Sequence, residues 1–146
     1  MSTARIGYKS KLAYEDSPGS ATYTEIANLR TVKPGDPQAD EVEFTNQDSL
    51  AFRKEFMLTM IDGGSVTCEG NYLPENATHL NLRALRDSQA MTNWRINIRD
   101  ATSGAVIQTI TFPGQVKSFT LGELAPNSLQ TFSLSVRVSG AETWNP

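Results

Sequence analysis

Residues 131–138, with the sequence TFSLSVRV, alternate polar and apolar side chains at every position. The apolar set is Phe132, Leu134, Val136 and Val138, and the polar set is Thr131, Ser133, Ser135 and Arg137. Because successive side chains of a strand point to opposite faces, a period of two predicts a strand with one buried face. Such a strand needs paired neighbours and a second layer over its apolar face, so the chain is expected to build a layered β fold.

Other strand signals occupy the rest of the last third of the chain. Segment 93–100 (NWRINIRD) alternates Trp and Ile with polar residues. Segments 105–112 and 115–122 also favour strands, and the Pro-Gly pair at 113–114 between them is typical of a turn. Strands at this spacing, with one helix between two strand groups, predict a mainly β fold, namely an antiparallel β-sandwich or half-open barrel with one flanking α-helix.

The first half of the chain is divided by turn-forming residues. The pieces 17–20 (SPGS) and 33–40 (KPGDPQAD) bound a predicted strand, since Pro and Gly disfavour regular pairing. A clean two-residue alternation follows at 40–45 (DEVEFT). The Asp-Gly-Gly triplet at 62–64 predicts a turn, and 65–72 (SVTCEGNY) predicts another strand with one inward face.

Segment 73–89 (LPENATHLNLRALRDSQ) predicts the helix, with Pro74 or Asn76 at its start. The apolar stripe expected on its buried side consists of Ala77, Leu80, Ala84 and Leu85. At about 12 residues such a helix is marginal alone in water, so it is expected to lie on a sheet.

Composition limits the classes of protein and of site. A length of 146 residues is one domain's worth, so 1–146 is taken as a single domain. One Cys and one His exclude an internal disulfide, a cysteine-based zinc cage and a His-rich metal site. The net charge of −3 argues against a protein that grips nucleic acid by its phosphates. No apolar run long enough for a membrane span and no secretory signal is present, so the protein is expected to be assembled where it is made, without inserting into a membrane.

The candidates for catalysis are weak. His79 falls in the first turn of the predicted helix with no nucleophile motif nearby, which favours a side chain bonded to a neighbouring loop. Cys68 falls on an inward strand face, where a small buried side chain is the expected role. Glu41 and Glu43 share a strand face at the spacing of paired carboxylates, but no aromatic cleft accompanies them. The sequence therefore predicts no enzyme, no cofactor and no metal.

The central segment 41–85 resembles the major tail tube proteins of long-tailed, lambda-like siphovirus bacteriophages, and the likeness extends over nearly the whole chain. The matching positions are Glu43, Thr45, Asp48, Ser49, Arg53, Glu55, Phe56, Asp62, Gly63, Gly64, Asn71, Tyr72, Pro74, His79, Leu82 and Leu85. Two positions depart from the pattern: Lys54 is inserted between Arg53 and Glu55, and Met60 stands where a glycine is common.

The resemblance implies a self-assembling structural protein of the virion. Six copies would close into a ring, and rings would stack into a tail tube that conducts double-stranded DNA into the host without binding it tightly. Tape measure, tail terminator and distal tail or baseplate proteins would be its partners, and assembly would take place in the host bacterial cytoplasm. The tubes of contractile tails and of type VI secretion systems share the fold and remain the main alternative.

The same resemblance suggests which residues form contacts between copies. A long aperiodic segment at 46–60 would be a stacking loop, with residues 1–12 as an N-terminal arm and 140–146 as a C-terminal tail. The residues expected at subunit contacts are Asp48, Phe52, Arg53, Lys54, Glu55 and Phe56. Glu41 and Glu43 are the candidates for the tube lumen, where negative charge would repel DNA.

A third class of protein also fits a β-sandwich. A monomeric adhesion or carbohydrate-binding module would expose aromatic side chains near one loop end, and Trp94 and Trp144 are available for that role.

Overall fold

The computed structural model describes residues 9–17, 19–47 and 53–145 of the chain. Ten strands and one helix occur in this part of the chain. In chain order they are β1 (Lys11–Glu15), β2 (Tyr23–Glu25), β3 (Leu29–Lys33), β4 (Gln38–Glu43), β5 (Phe56–Asp62), β6 (Ser65–Asn71), α1 (Ala77–Ser88), β7 (Thr92–Arg99), β8 (Val106–Leu121), β9 (Thr131–Val138) and β10 (Thr143–Asn145).

The strands form one large sheet and one separate ribbon. The large sheet has the order β2-β1-β7-β8-β9-β6-β3, with β10 also paired to β8, and the ribbon consists of β4 and β5. Every strand pair in the described residues is antiparallel. The large sheet folds over its own apolar face and does not close into a barrel. The predicted fold class, mainly antiparallel β with a flanking helix, is confirmed.

Strand β8 joins the two halves of the large sheet. Its first half pairs with β7 and its second half with β9, and Gly114 is the residue at which the partner changes. A Cβ on Gly114 would lie 2.8 Å from the carbonyl oxygen of Arg137, so this close approach requires glycine. The prediction of two strands separated by a turn at 113–114 is wrong. The Pro-Gly pair lies inside one continuous strand, because both halves of that strand have paired neighbours.

The core lies between the folded halves of this sheet. Its largest fully buried side chains are Trp94, Phe112, Phe132, Leu12, Ile26, Leu82, Ile110, Leu134, His79 and Val136. The alternation predicted for residues 131–138 is confirmed, because all four apolar side chains of β9 are buried. In β6 the inward face predicted at Val66 and Cys68 is confirmed as well.

The helix begins as predicted but buries a different face. Asn76 is the N-cap, and its Oδ1 accepts a hydrogen bond of 2.9 Å from the backbone N–H of Thr78. The buried residues are His79 and Leu82, whereas Leu80 of the predicted stripe is exposed. The predicted buried stripe was wrong because His79 was treated as a polar, exposed residue. Its ring can be buried because both ring nitrogens have hydrogen-bond partners.

The structure also moves the boundaries of the two predicted terminal segments. Leu12, placed in the N-terminal arm 1–12, is a fully buried residue of β1. Within the predicted tail 140–146, Thr143–Asn145 form β10 and pair with β8. Residues 1–8 and 146 lie outside the described part of the chain. The strand β10 was not predicted because three residues are too few to show a strand pattern in the sequence. It forms because β8 offers it backbone hydrogen bonds.

Candidate functional site

Strands β4 and β5 form a two-stranded ribbon that stands apart from the core. We call residues 38–47 and 53–62 the projecting hairpin. Its strands pair with each other and make no extensive contact with any other described element. A two-stranded ribbon is at best marginally stable in water on its own, so a ribbon of this kind generally needs a further surface to pack on.

The projecting hairpin exposes an unusual amount of apolar surface. All seven residues of β5 are exposed, and Met60 and Ile61 keep 83% and 73% of their full accessible surface. The complete set of exposed large apolar side chains on the hairpin is Val42, Phe44, Phe56, Met57, Leu58, Met60 and Ile61. Large apolar side chains exposed together on one element are typical of an interaction surface.

The apolar side chains lie on both faces of the ribbon. Glu41 is the cross-strand partner of Leu58 and Glu43 is that of Phe56, so these four side chains share one face. Val42 is opposite Met57 on the other face. The register shifts between Ala39 and Glu41, which adds a bulge and local twist near the base. One face is therefore half acidic and half apolar, and the other is mainly apolar.

The ladder of the hairpin continues beyond the ends of its strands. The N–H of Phe44 donates to the carbonyl oxygen of Glu55 at 3.0 Å, and the N–H of Glu55 donates to Oγ1 of Thr45 at 2.7 Å. The predicted loop 46–60 is thus too long at its C-terminal end, because its last five residues belong to β5. This strand was not predicted because its residues are apolar on both faces and so do not alternate with polar ones.

The residues predicted to contact other copies fall into two groups. Glu55 and Phe56 lie in the ladder of the hairpin, and Arg53 and Lys54 are exposed at its far end. Asp48 and Phe52 fall among residues 48–52, which lie outside the described part of the chain. The structure therefore brings four of the six predicted contact residues together at the distal part of one projecting element.

The base of the hairpin is held to β9 by an ion pair. Both carboxylate oxygens of Asp62 accept hydrogen bonds from Nη2 of Arg137 at 2.7 Å, and Oδ1 also accepts from the N–H of Gly64 at 2.9 Å. The hydrogen bond from Gly64, and then that from Arg137, lower the pKa of Asp62 below its ordinary value of 3.8. These contacts orient the hairpin relative to the sheet.

Glycines allow the two chain segments at the base to cross closely. A Cβ on Gly35 would lie 2.6 Å from the carbonyl oxygen of Gly63, and Gly64 has a positive φ of 72°. The Asp-Gly-Gly turn predicted at 62–64 does not form as a regular turn. Gly63 and Gly64 are a short irregular link between β5 of the ribbon and β6 of the large sheet. In chain order this link leads from the hairpin into the large sheet.

A second exposed apolar surface lies at another edge of the molecule. We call Leu73, Leu121, Leu124 and Leu129 the leucine end. Their exposed fractions are 41%, 46%, 66% and 73%. These residues were not predicted as a surface. The sequence signal that marks them is a pair of leucines among turn formers in GELAPNSLQ, residues 122–130. A leucine in a loop has no structural period to place it, so only its exposure in the fold identifies it.

The residues considered for catalysis have structural roles. Nδ1 of His79 accepts from the N–H of Leu73 at 3.1 Å, and Nε2 lies 2.8 Å from the carbonyl oxygen of Ala27. Both expectations of a structural role are confirmed: His79 is a buried side chain bonded to loops, and Cys68 is buried, which raises the pKa of its thiol to about 12.

Neither the sugar-binding alternative nor a metal site gains support from the described residues. Trp94 is fully buried in the core and cannot stack on a ligand, whereas Trp144 is half exposed on β10. Among residues 9–17, 19–47 and 53–145, no three His, Cys, Asp or Glu side chains are grouped to hold a metal ion. Within the same ranges, no helix has the length and apolarity needed to cross a membrane.

Comparison of the chain with known families gives a match over most of its length. The sequence profile of the family described as "Phage tail tube, TTP, lambda-like" matches residues 10–146. No curated protein matches the chain in sequence.

Solved structures with the same fold come from several kinds of tail and tube assembly. The chain is similar to a protein in the tail of an empty gene transfer agent particle with C6 symmetry, with a TM-score of 0.77 and 18% identity over 98% of this chain and 100% of that chain. It is similar to a protein of the sheath/tube terminator of an extracellular contractile injection system, with a TM-score of 0.76 and 11% identity over 99% of both chains. It is also similar to the SPP1 tail tube, with a TM-score of 0.71 and 10% identity over 97% of this chain and 79% of that chain.

Proposed function

Because the chain belongs to the lambda-like phage tail tube family, we propose that six copies close into a ring and that rings stack into the tube of a long, non-contractile phage tail. The chain is a structural tail tube protein of a phage or a related contractile injection system. In our proposal the tube conducts double-stranded DNA into the host, and its subunits are assembled in the host bacterial cytoplasm. The six-fold ring is supported by the C6 symmetry of the similar gene transfer agent tail.

The observation that carries this proposal is the projecting hairpin. Its seven large apolar side chains lie on two faces and have no partner surface among the described residues. Moving each such side chain from water into an interface contributes about 1.5–3 kcal/mol, so a neighbouring copy that covers the β5 side of the hairpin would be bound firmly. A hairpin that served only one chain would instead place one face on its own core.

The charge of the chain suits a conduit. Tight DNA binding requires Lys and Arg on the phosphates, and this chain has 13 basic against 16 acidic residues. Strand β4 carries Asp40, Glu41 and Glu43, all without a basic residue in the same strand. We propose that the acidic β4 side of the hairpin borders the lumen, while the apolar β5 side is covered by a neighbouring copy.

The lumen assignment is tested by reversing the charge of the two glutamates. In Glu41→Lys/Glu43→Lys, tubes should still form, and DNA ejection from phage carrying the variant should slow because the bore would then attract phosphates. Glu69→Lys/Asp87→Lys makes the same change in net charge at other exposed positions. Equal ejection rates for the two double variants would remove Glu41 and Glu43 from the lumen.

The remaining partners follow from the ends of a tube. A tail terminator, distal tail or baseplate proteins and a tape measure protein inside the tube are the proposed partners. A second candidate function is the tube of a contractile tail or of a type VI-like secretion system, favoured by the similarity to a contractile injection system protein. Electron micrographs of particles carrying the tagged protein distinguish the two, because only a contractile tail surrounds its tube with a sheath.

Self-assembly is tested on the purified protein at rising concentration. As the concentration rises, negative-stain microscopy and sedimentation should show first six-fold rings and then tubes of stacked rings. Association of identical copies increases with concentration by mass action. A protein that sediments as a monomer at every concentration up to the millimolar range would overturn the proposal.

A further inference from the structure

We propose that the leucine end is the surface that receives the projecting hairpin of another copy. This inference rests on the proposed self-assembly and goes beyond it by naming the acceptor. The occupant is a second copy of this chain, and the two partners are different surfaces of the same molecule.

The hairpin and the leucine end lie at opposite ends of one sheet. Strand β6 begins at Ser65, directly after the base of the hairpin, and ends at Asn71. Its partner β9 runs the other way, so that Asn71 pairs with Thr131 and Ser65 with Arg137. Seven residues of strand separate the two ends by about 20 Å. The base of the hairpin and the leucine end therefore lie at opposite ends of β6 and β9 in one chain.

The leucine end is assembled by three neighbouring backbone segments. The N–H of Tyr72 donates to the carbonyl oxygen of Gln130 at 2.8 Å, and the N–H of Gly122 donates to that of Thr131 at 2.8 Å. These bonds bring the residues after β6, after β8 and before β9 to one edge of the sheet. A surface pocket lined by Leu73, Pro74, Glu75 and Asn76 opens at the same edge. This surface is an apolar rim with a recess, which suits the aromatic side chains of the hairpin.

The charges of the two surfaces are complementary. The distal part of the hairpin carries Arg53 and Lys54, both exposed. The leucine end carries Glu75 and Glu123, both exposed, and residues 71–80 and 121–131 contain no Lys or Arg. A hairpin seated on the leucine end would set Arg53 and Lys54 against this acidic rim, while the neighbouring Glu55 is half-buried in the ladder of the hairpin. This pairing favours one direction of docking.

Two different surfaces at opposite ends of one molecule cannot satisfy each other within a pair. When copy one inserts its hairpin into copy two, the leucine end of copy one and the hairpin of copy two remain open. Such a heterologous contact repeats from copy to copy, and it continues along an axis when the contact joins one ring to the next. An isologous dimer through two hairpins would instead leave both leucine ends exposed and would stop at two copies.

Cysteine cross-linking tests the contact directly. The double variant Lys54→Cys/Glu123→Cys places one thiol on each surface, and the native Cys68 is buried and does not react. Under mild oxidation, assembled tubes should give a ladder of covalent multimers on a non-reducing gel. The matched control Lys54→Cys/Lys117→Cys moves the second thiol to an exposed position in the second half of β8 and should give no ladder above background.

The outcomes separate this inference from the proposed function. Tubes in the microscope with no ladder, or with equal ladders from both double variants, would overturn the leucine end as the acceptor and leave self-assembly standing. A failure of the wild-type protein to form any ring or tube would overturn self-assembly itself. Cross-linked dimers without higher multimers would indicate an isologous contact and would also overturn the inference.

A charge exchange gives a second test that does not depend on oxidation. Lys54→Glu should raise the protein concentration needed for tube formation several-fold, because it faces Glu123 across the contact. Adding Glu123→Lys should restore assembly, whereas adding Glu69→Lys in its place, the same change of charge at an exposed position of β6, should not. Since all three positions are exposed, the circular dichroism spectrum of every variant should match that of the wild type. Equal assembly by all variants would overturn the proposed pairing.

Discussion

Strands β5 and β9 are similar in length and in apolar content, yet they occupy opposite environments. In β9 the apolar residues stand at every second position, and all four are buried. In β5 they occupy five of seven positions on both faces, and none is buried. A two-layer fold covers only one face of a strand at a sheet surface, so a strand that is apolar on both faces cannot be satisfied by this chain alone. The apolar content of a strand therefore indicates that it will be covered. Its pattern indicates whether the cover comes from the core of the same chain, as for β9, or must come from another molecule, as for β5.

The largest effect is expected from a matched pair of truncations. Leu134→Ala in β9 should lower the free energy of unfolding by about 2–5 kcal/mol, because it leaves a cavity in the core. Leu58→Ala in β5 should change it by less than about 0.5 kcal/mol, because the side chain is already in water. Urea unfolding below the concentration of assembly measures both values. A large loss for Leu58→Ala would show that the hairpin packs on its own chain and would remove the contrast between the strands.

The next effect concerns assembly rather than folding. Leu58→Asp should leave the unfolding midpoint of the monomer unchanged but weaken each contact between copies by about 1.5–3 kcal/mol, the value of one buried leucine. Sedimentation over a concentration series measures the shift as a rise of tenfold or more in the concentration needed for tubes. Thr67→Asp, at an exposed position of β6, is the control for added negative charge. If the two variants assembled alike, β5 would not be an interface strand.

The smallest effect is a dependence of hairpin orientation on pH. Folding lowers the pKa of Asp62, so its carboxylate stabilises the base of the hairpin fully above the ordinary pKa of 3.8. This stabilisation is lost as the pH falls through the lowered pKa. Amide exchange at Gly64 should therefore accelerate, relative to an unstructured reference, below about pH 3.8. Asp62→Asn should show the faster exchange at all pH values without this transition. An identical pH profile in both proteins would show that the ion pair does not hold the hairpin.

The sequence predicted several elements closely because local rules decide them. The face of β9 follows from its two-residue period, and Asn76 caps α1 because its side chain replaces a missing backbone partner. The helical stripe was misplaced because the burial of His79 depends on carbonyl and amide groups distant in sequence, such as that of Ala27. The turn at 113–114 was wrong because β8 continues wherever neighbouring strands supply hydrogen bonds.

The contact between copies stays a prediction. The structure places residues 53–56 on the projecting hairpin, where the resemblance implied a long loop, and residues 56–60 of that loop belong to strand β5. The leucine end was not predicted, because its members come from three segments that only the pairing of β6, β8 and β9 brings to one edge.

The amino-acid sequence by itself determined that this protein is built from antiparallel strands, which faces of β6 and β9 turn inward, and where the helix begins. Those features depend on side-chain period and on hydrogen bonds between near neighbours. The tertiary structure alone decided that β5 stays in water, that β8 is one strand, and that two apolar surfaces stand at opposite ends of one sheet. Burial depends on whether another layer covers a face, and that layer comes from residues far away along the chain.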